Sequence, residues 1–278
     1  MNQICMIGCG LIGGSFAALV KQYSPNTTIV GMDTNAQSLA TANTKGLIDS
    51  PADYLDPNTL VSSDLVIIAS PISTVVPIIQ TINATVTTPC TIVEFSSVKS
   101  ILSTPAIANS HHTIVGMHPM GGLDVHGVDH ASPNVLEGCP MIVFSPKNSI
   151  QEWIESCSFQ PIHCPSYTIH DEWMMHISHG PYILASLLPH ILSKKKDHEL
   201  AQLKTVSAGG FRDTTRVSNS AIEWGMDVLQ GNKSNAIAFI KQIIASLQTL
   251  QTHLETNDEH QLHHWLSLAK TTRNTIVQ

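Results

Sequence analysis

No apolar run in this sequence approaches the roughly 20 residues of a membrane-spanning helix, so no span is expected. The first strand-like run starts at Ile4, which leaves no room for a signal or transit peptide. The expectation is a soluble, cytoplasmic protein. Positive charge is short as well: 14 Lys and Arg stand against 21 Asp and Glu, a net charge of −7. That balance argues against nucleic acid as a partner, because phosphate binding needs a basic face. Charged residues make up 13% of the chain, about half the usual share. Ser, Thr, Asn, Gln and 15 histidines fill their place. The six cysteines form no C-x-x-C pair and no zinc-ligand spacing. They read as reduced thiols, with Cys5 and Cys9 as packing residues beside a strand end. Internal repeats, low-complexity tracts and long linkers are also missing.

What is present is regular. Short, continuously apolar runs occur at 3–8, 27–33, 63–70, 90–96, 112–118 and 140–146. Continuous rather than alternating apolarity is the mark of parallel strands covered on both faces. Helical patterns fall between them, at 11–23, 35–46, 72–83 and 98–109. The fold class is therefore α/β, a Rossmann-type doubly wound sheet. Beyond Pro165 the strand signals stop. Residues 168–192, 197–208, 220–230 and 233–271 read as helices, with a kink at Pro181. Ile237, Ile240, Ile244, Leu247 and Leu250 fall largely on one helical face. An all-α domain, 166–278, thus follows a dinucleotide-binding domain, 1–165. The seam between them is the expected ligand site.

The stretch "IGCGLIGGS" places Gly8-x-Gly10-x-x-Gly13 between the first strand and the first helix. Gly8 makes the tight turn, Gly10 lets backbone approach a pyrophosphate, and Gly13 lets helix pack on strand. The N–H groups of Leu11 and Ile12 at the helix start face the phosphate charge. The second strand ends in Asp33, at the spacing of a ribose-binding acid. No Arg or Lys lies between Asp33 and Lys45 to offset its charge, so NAD is the expected cofactor rather than NADP. Asp33 could otherwise be a helix N-cap. Ser70 and Pro71 close the third long strand run and should open onto the same crevice.

Two further strand ends bring chemistry there. "EFSSVKS" offers Ser96, Ser97 and Lys99, and "GMHPMGG" offers His118. Oxidising an alcohol requires a base for the hydroxyl proton, and histidine serves near neutral pH. Ser97 is placed to orient it. In the helical part, "HISHGPYIL" puts His179 just before Pro181, and "SAGGFRDTTRVSNS" puts Arg212, Asp213 and Arg216 behind a Gly-Gly turn. Arginine suits bidentate carboxylate recognition. Arg212 and Asp213 read instead as an internal Arg–Asp network locking the loop.

Taken together, "GCGLIGGS", "VKS" after Ser-Ser, "GMHPMGG…GVDHA", "SHGP" and "GGFRDTTRVS" resemble the prephenate/arogenate dehydrogenase family of tyrosine biosynthesis. The resemblance covers about residues 4–230. It implies a Rossmann domain followed by a helical domain that forms a homodimer. It also implies NAD-linked oxidative decarboxylation of prephenate to 4-hydroxyphenylpyruvate, with arogenate as the alternative substrate. His118 matches the catalytic base, Ser97 the serine that contacts it, and Arg216 the arginine that clamps a substrate carboxylate. His179 matches a histidine near the substrate, and Asp124 an acidic residue in the loop after the base. Three positions depart from the family pattern. Met117 stands where glycine is usual, Gly121 where alanine is common, and Tyr182 replaces the second histidine of His-x-Pro-His. Tyr182 therefore bears on substrate choice and on tyrosine inhibition. With the chain ending at Gln278, such inhibition is expected at or near the active site rather than in an appended domain.

The clustered histidines at 253, 260, 263 and 264, and the pair His111–His112, lack a carboxylate or Cys to complete a metal set, and read as a solvated face. His126 and His130 follow His118 and could sit at the cleft mouth. A β-hydroxyacid-type dehydrogenase would need a catalytic lysine in the helical domain, which Lys194, Lys195 and Lys196 match poorly. A non-catalytic NAD-sensing module would bind NAD without turnover.

Overall fold

The computed structural model describes residues 1–144 and 149–277. The chain divides into two compact units, Met1–Lys233 and Ser234–Gln278. The first unit holds an eight-stranded sheet: β1 (Gln3–Ile7), β2 (Thr28–Met32), β3 (Ser50–Pro51), β4 (Leu65–Ile68), β5 (Thr91–Glu94), β6 (Thr113–Pro119), β7 (Pro140–Val143) and β8 (Gln160–His163). The strand order is β3-β2-β1-β4-β5-β6-β7-β8. Strand order reverses between β1 and β4, the place where α/β folds hold their ligands.

Each central strand is apolar on both faces because helices cover both. Ile4, Met6, Leu65, Ile67 and Val93 pack with Phe16, Ala17, Leu19 and Val20 of α1 (Leu11–Tyr23). Cys5, Ile7, Val66, Ile68 and Ile92 turn the other way. They meet Leu60 of α3 (Pro57–Ser62), Val75, Ile78, Ile79 and Ile82 of α4 (Ile72–Thr85), and Ile107 of α5 (Pro105–Ala108). Helix α2 (Ala36–Thr44) follows β2, and α6 (Ser149–Ser156) precedes β8. Burial pushes the Cys5 and Cys9 thiols up to about 12, so both are packing residues.

The structure corrects several sequence expectations. The strand expected at 140–146 ends at Val143 and runs antiparallel to β6; Ser145 and Pro146 lie outside the described residues. A parallel return needs a crossover, usually a helix. Between Met120 and Cys139 there are only two 3-10 turns. The helix expected at 98–109 splits into a 3-10 turn, Ser100–Ser103, and α5. Thr104 precedes Pro105 and is extended, with ψ 149°, as a residue before proline prefers. Strands β3 and β8 were missed because they are short, exposed edges that carry proline.

The helical region of the first unit comprises α7 (Tyr167–Met174), α8 (Gly180–Leu192), α9 (Asp197–Val206), α10 (Gly209–Thr215) and α11 (Ile222–Gly231). Between α7 and α8 lies a π-helical turn, Met175–His179, rather than a simple kink. Pro181 has no N–H for the regular ladder, and the wider turn absorbs the loss. The Gly-Gly turn is itself the start of α10. The second unit is a helix pair, α12 (Lys233–Glu255) and α13 (Glu259–Val277). The single helix expected over 233–271 breaks at Asn257, whose φ is 52°, a conformation asparagine tolerates at a helix end. The apolar face of α12 is largely bare: Ile237, Ile240, Ile244 and Leu247 are exposed. Among the described residues no helix is long and apolar enough to cross a membrane.

Candidate active site

The glycine loop is built as its spacing implies. Gly8 has φ +94°, and a Cβ there would lie 2.5 Å from the Ala69 carbonyl oxygen. A Cβ on Gly13 would lie 1.9 Å from the Gly8 carbonyl oxygen. Around Gly10, by contrast, a Cβ would meet nothing within 4 Å. The loop is therefore tight against the protein at Gly8 and Gly13 and open at Gly10, and no side chain caps α1. That open cradle of N–H groups fits a pyrophosphate. Asp33 Oδ2 accepts from the Cys9 N–H at 2.8 Å and Oδ1 from the Asn35 N–H at 2.8 Å. The N-cap of α2 is Asn35, which accepts from Gln37 and Ser38, so Asp33 is not the cap. Lys45, the first base after it, is held by the carbonyls of Val128, Asp129 and Ala131.

Gly10, Leu11, Ile12, Ser70 and Pro71 line one wall of a cavity of about 870 Å³. Ser96, Ser97, His118, Asp124, His126, Tyr182, Arg216, Trp224 and Asp227 line it too. The sequence-predicted residues Gly10, Leu11, Ile12, Ser70, Pro71, Ser97, His118, Asp124, Tyr182 and Arg216 thus meet at one cavity, while Gly8, Gly13 and Asp33 shape the loop behind its wall.

His118 is the penultimate residue of β6. Its Nδ1 lies 2.9 Å from His170 Nε2, and His170 Nδ1 lies 2.8 Å from Asp171 Oδ1. Asp171 also accepts from the backbone N–H groups of Lys99 (2.7 Å) and Ser100 (2.9 Å). The partner of His118 is therefore His170; Ser97, expected to orient it, lines the cavity without bonding it. Burial, with His170, Lys99 and His179 nearby, holds the His118 pKa well below 6.5, so the ring is neutral at pH 7. Beneath it, Lys99 and Glu94 form an ion pair whose side chains are both fully buried.

Met117 is buried in the α1-side core and absent from the cavity wall. It alternates with His118 across the strand, so the family departure there changes packing rather than the site. At Gly121 a Cβ would press 2.6 Å from the Val135 carbonyl oxygen, which leaves no room for the usual alanine.

Across the cavity, Arg216 is exposed and sits 3.5 Å from Asp124 Oδ2. Tyr182 packs edge-on against Trp224, centroids 5.1 Å apart, with its hydroxyl seated where a Cβ on residue 225 would fall, so Gly225 is required. Arg212 and Asp213 are both exposed on α10 and form no ion pair with each other, contrary to the expected network. His130 does not reach the cavity wall.

His179 is not on the wall either. It is fully buried, edge-on to Trp224 with centroids 6.2 Å apart, and its Nδ1 meets Asn232 Nδ2 at 3.2 Å. Burial is the main cause that lowers its pKa to about 4. The sign follows: between pH 6.5 and 4 the unfolded chain binds a proton that the folded chain refuses, so stability falls as pH falls through that window. His179 alone contributes a slope of up to about 1.4 kcal/mol per pH unit there. Urea unfolding at a series of pH values should show a shallower acid slope for His179→Gln; an unchanged slope would exclude this role.

Sequence reasoning missed His170, Asp171, Trp224 and Asn232. The signal for the first two was present: "IHDEWMM" puts His and Asp on the helix turn that carries Met174, a fully buried position.

A neutral histidine, an arginine and an open phosphate cradle thus meet at one cavity. The chain is in that sense a nucleotide-dependent oxidoreductase. Residues 16–158 match the family model described as prephenate dehydrogenase, nucleotide-binding domain. Residues 166–268 match prephenate dehydrogenase, dimerization domain. These matches span most of the chain, which belongs to the prephenate dehydrogenase family. It is 28% identical over 289 residues to prephenate dehydrogenase of Bacillus subtilis, covering 99% of this chain and 77% of that one. With cyclohexadienyl dehydrogenase of Zymomonas mobilis it shares 26%, over 95% and 92% of the two chains. The structure of prephenate dehydrogenase from A. aeolicus in complex with hydroxyphenyl propionate and NAD+ superposes with a TM-score of 0.84 at 25% identity, covering 99% and 98%.

Proposed function

We propose that this chain oxidises prephenate to 4-hydroxyphenylpyruvate with loss of CO2, using NAD, as a cytoplasmic homodimer of the tyrosine pathway. The observation that carries the reading is the single cavity shared by the glycine loop, His118 and Arg216. The N–H groups of Leu11, Ile12 and Gly13 would hold the pyrophosphate, and Asp33 the ribose, with Ser70 and Pro71 alongside. Bound NAD supplies the hydride acceptor. His118 takes the proton of the ring hydroxyl, and its low pKa keeps it in the accepting form at pH 7. Arg216 offers its guanidinium to a substrate carboxylate, exchanging Asp124 for it. Ser97 contributes a hydroxyl beside the base. The bare apolar face of α12 supports self-association. Residues 1–165 hold the cofactor and carry the base, and 166–278 complete the substrate site and form the dimer.

Arogenate is the second reading, because the Asp124 carboxylate on the cavity wall could meet an ammonium group. One assay separates these: formation of the reduced cofactor with prephenate and with arogenate, each with NAD and with NADP. Turnover with prephenate and NAD is expected; turnover with neither substrate overturns the reading. In the same assay Arg216→Ala should raise KM by about 10- to 100-fold with little change in kcat, as lost ground-state binding does. An unchanged KM would remove Arg216 from the substrate.

A further inference from the structure

His118 has a default that the structure must overcome. A free neutral imidazole prefers its proton on Nε2, which would leave the cavity-facing nitrogen a donor rather than a base. The partners of His118 reverse this preference in a chain of forced choices. Asp171 is buried, which raises its pKa, but bonds from His170, Lys99 and Ser100 outweigh burial and keep it low. It is therefore an ionised carboxylate that can only accept. His170 Nδ1, 2.8 Å from it, must carry a proton. Burial also lowers the pKa of His170, against the pull of Asp171, so that ring is neutral and its Nε2 bare. His118 Nδ1, 2.9 Å from that bare nitrogen, must then be the donor. The only place left for the lone pair of His118 is Nε2, on the ring edge left to the cavity.

The relay is itself anchored. Asp171 is pinned by two backbone donors from the turn after β5, and its carbonyl accepts from Asn232 Nδ2 at 2.7 Å. His170 and Asp171 are buried on α7, so water does not compete for the bonds. We propose that His170 and Asp171 are positioning residues that lock His118 in the Nδ1–H tautomer. This rests on the reading of His118 as the base.

The test is 15N NMR of the full chain labelled at histidine, without substrate, with the His118 signals assigned by difference from His118→Asn. Wild-type protein should show His118 Nε2 unprotonated and Nδ1 protonated at pH 7.5. In His170→Leu the Nε2–H form should appear, and kcat should fall by about 100-fold or more with the KM for NAD unchanged. His170→Gln, whose side-chain oxygen can still accept from His118, should recover at least about tenfold of that loss. An Nε2–H tautomer in the wild type overturns the proposal, as does a His170→Leu variant that loses kcat while the tautomer stays put. If His170→Leu does not fold, the wild-type tautomer and His170→Gln decide. The tautomer is read without turnover, so a chain inactive on prephenate would fail the functional reading and leave this one standing.

Discussion

His118→Asn should fold as the wild type does, bind NAD equally well and lose about 10²- to 10⁴-fold in kcat, the range general-base catalysis supplies. The substitution is selective for a physical reason. The asparagine amide overlays the Nδ1 edge of imidazole, so it can still donate to His170 Nε2. What it lacks is the second nitrogen, the one left to the cavity. Local packing and the His170–Asp171 chain are retained while the proton acceptor is deleted. Kinetics of the reduced cofactor and equilibrium binding of NAD separate the two effects. A variant with near-wild-type kcat would mean that another group takes the proton, with Ser97 the next side chain on the wall. The wild-type pH profile gives an independent check. The base must be unprotonated, and its pKa lies well below 6.5. Activity should therefore hold as pH falls through 6.5 and drop only on the acid side of it. A limb at or above 6.5 would contradict the buried setting of the ring.

The readable part of the sequence was the part that backbone geometry dictates. Gly8 and Gly13 announce themselves because no other residue fits a φ of +94° or a 1.9 Å approach to a carbonyl. The central strands are legible because burial on both faces leaves only apolar residues. His118 could be located because strand ends open onto the crevice of a parallel sheet. Its partner could not. Ser97 is close in sequence logic, but His170 lies 52 residues away on α7, and no local pattern encodes that contact. His179 shows the same limit from the other side. The motif that flagged it is real, yet the π turn Met175–His179 rotates it into the interior, and Tyr182 takes the place on the wall. The antiparallel β7 escaped because its direction depends on the length of a connection, and the edge strands because they are short and carry proline.

The least legible pair is also the one whose disruption should cost most in stability. In sequence, Lys99 reads as a strand-end residue facing the crevice and Glu94 as a charge in an apolar strand, and nothing there pairs the two. In the structure both side chains are fully buried and paired. The Lys99 ammonium also donates to the Glu94 carbonyl at 3.1 Å, and Glu94 Oε2 accepts from the Ser96 N–H at 2.9 Å. Lys99→Met should therefore destabilise the chain by about 3–5 kcal/mol, because it strands a buried carboxylate with one backbone donor. That corresponds to a Tm lowered by on the order of 10 °C for a chain of this size. The cause is the orphaned charge rather than lost packing, since methionine fills a similar volume. Hence Glu94→Leu combined with Lys99→Met should be more stable than Lys99→Met alone. Urea and thermal unfolding of the three proteins measure this. A double variant no better than Lys99→Met would assign the loss to packing, and a Lys99→Met protein as stable as the wild type would show that the pair contributes nothing. The consequence reaches the chemistry, because the backbone N–H of Lys99 is one of the donors that hold Asp171. At a temperature where Lys99→Met is still folded, its kcat should fall along with its stability, since the turn that anchors the relay behind His118 is built around the same ammonium.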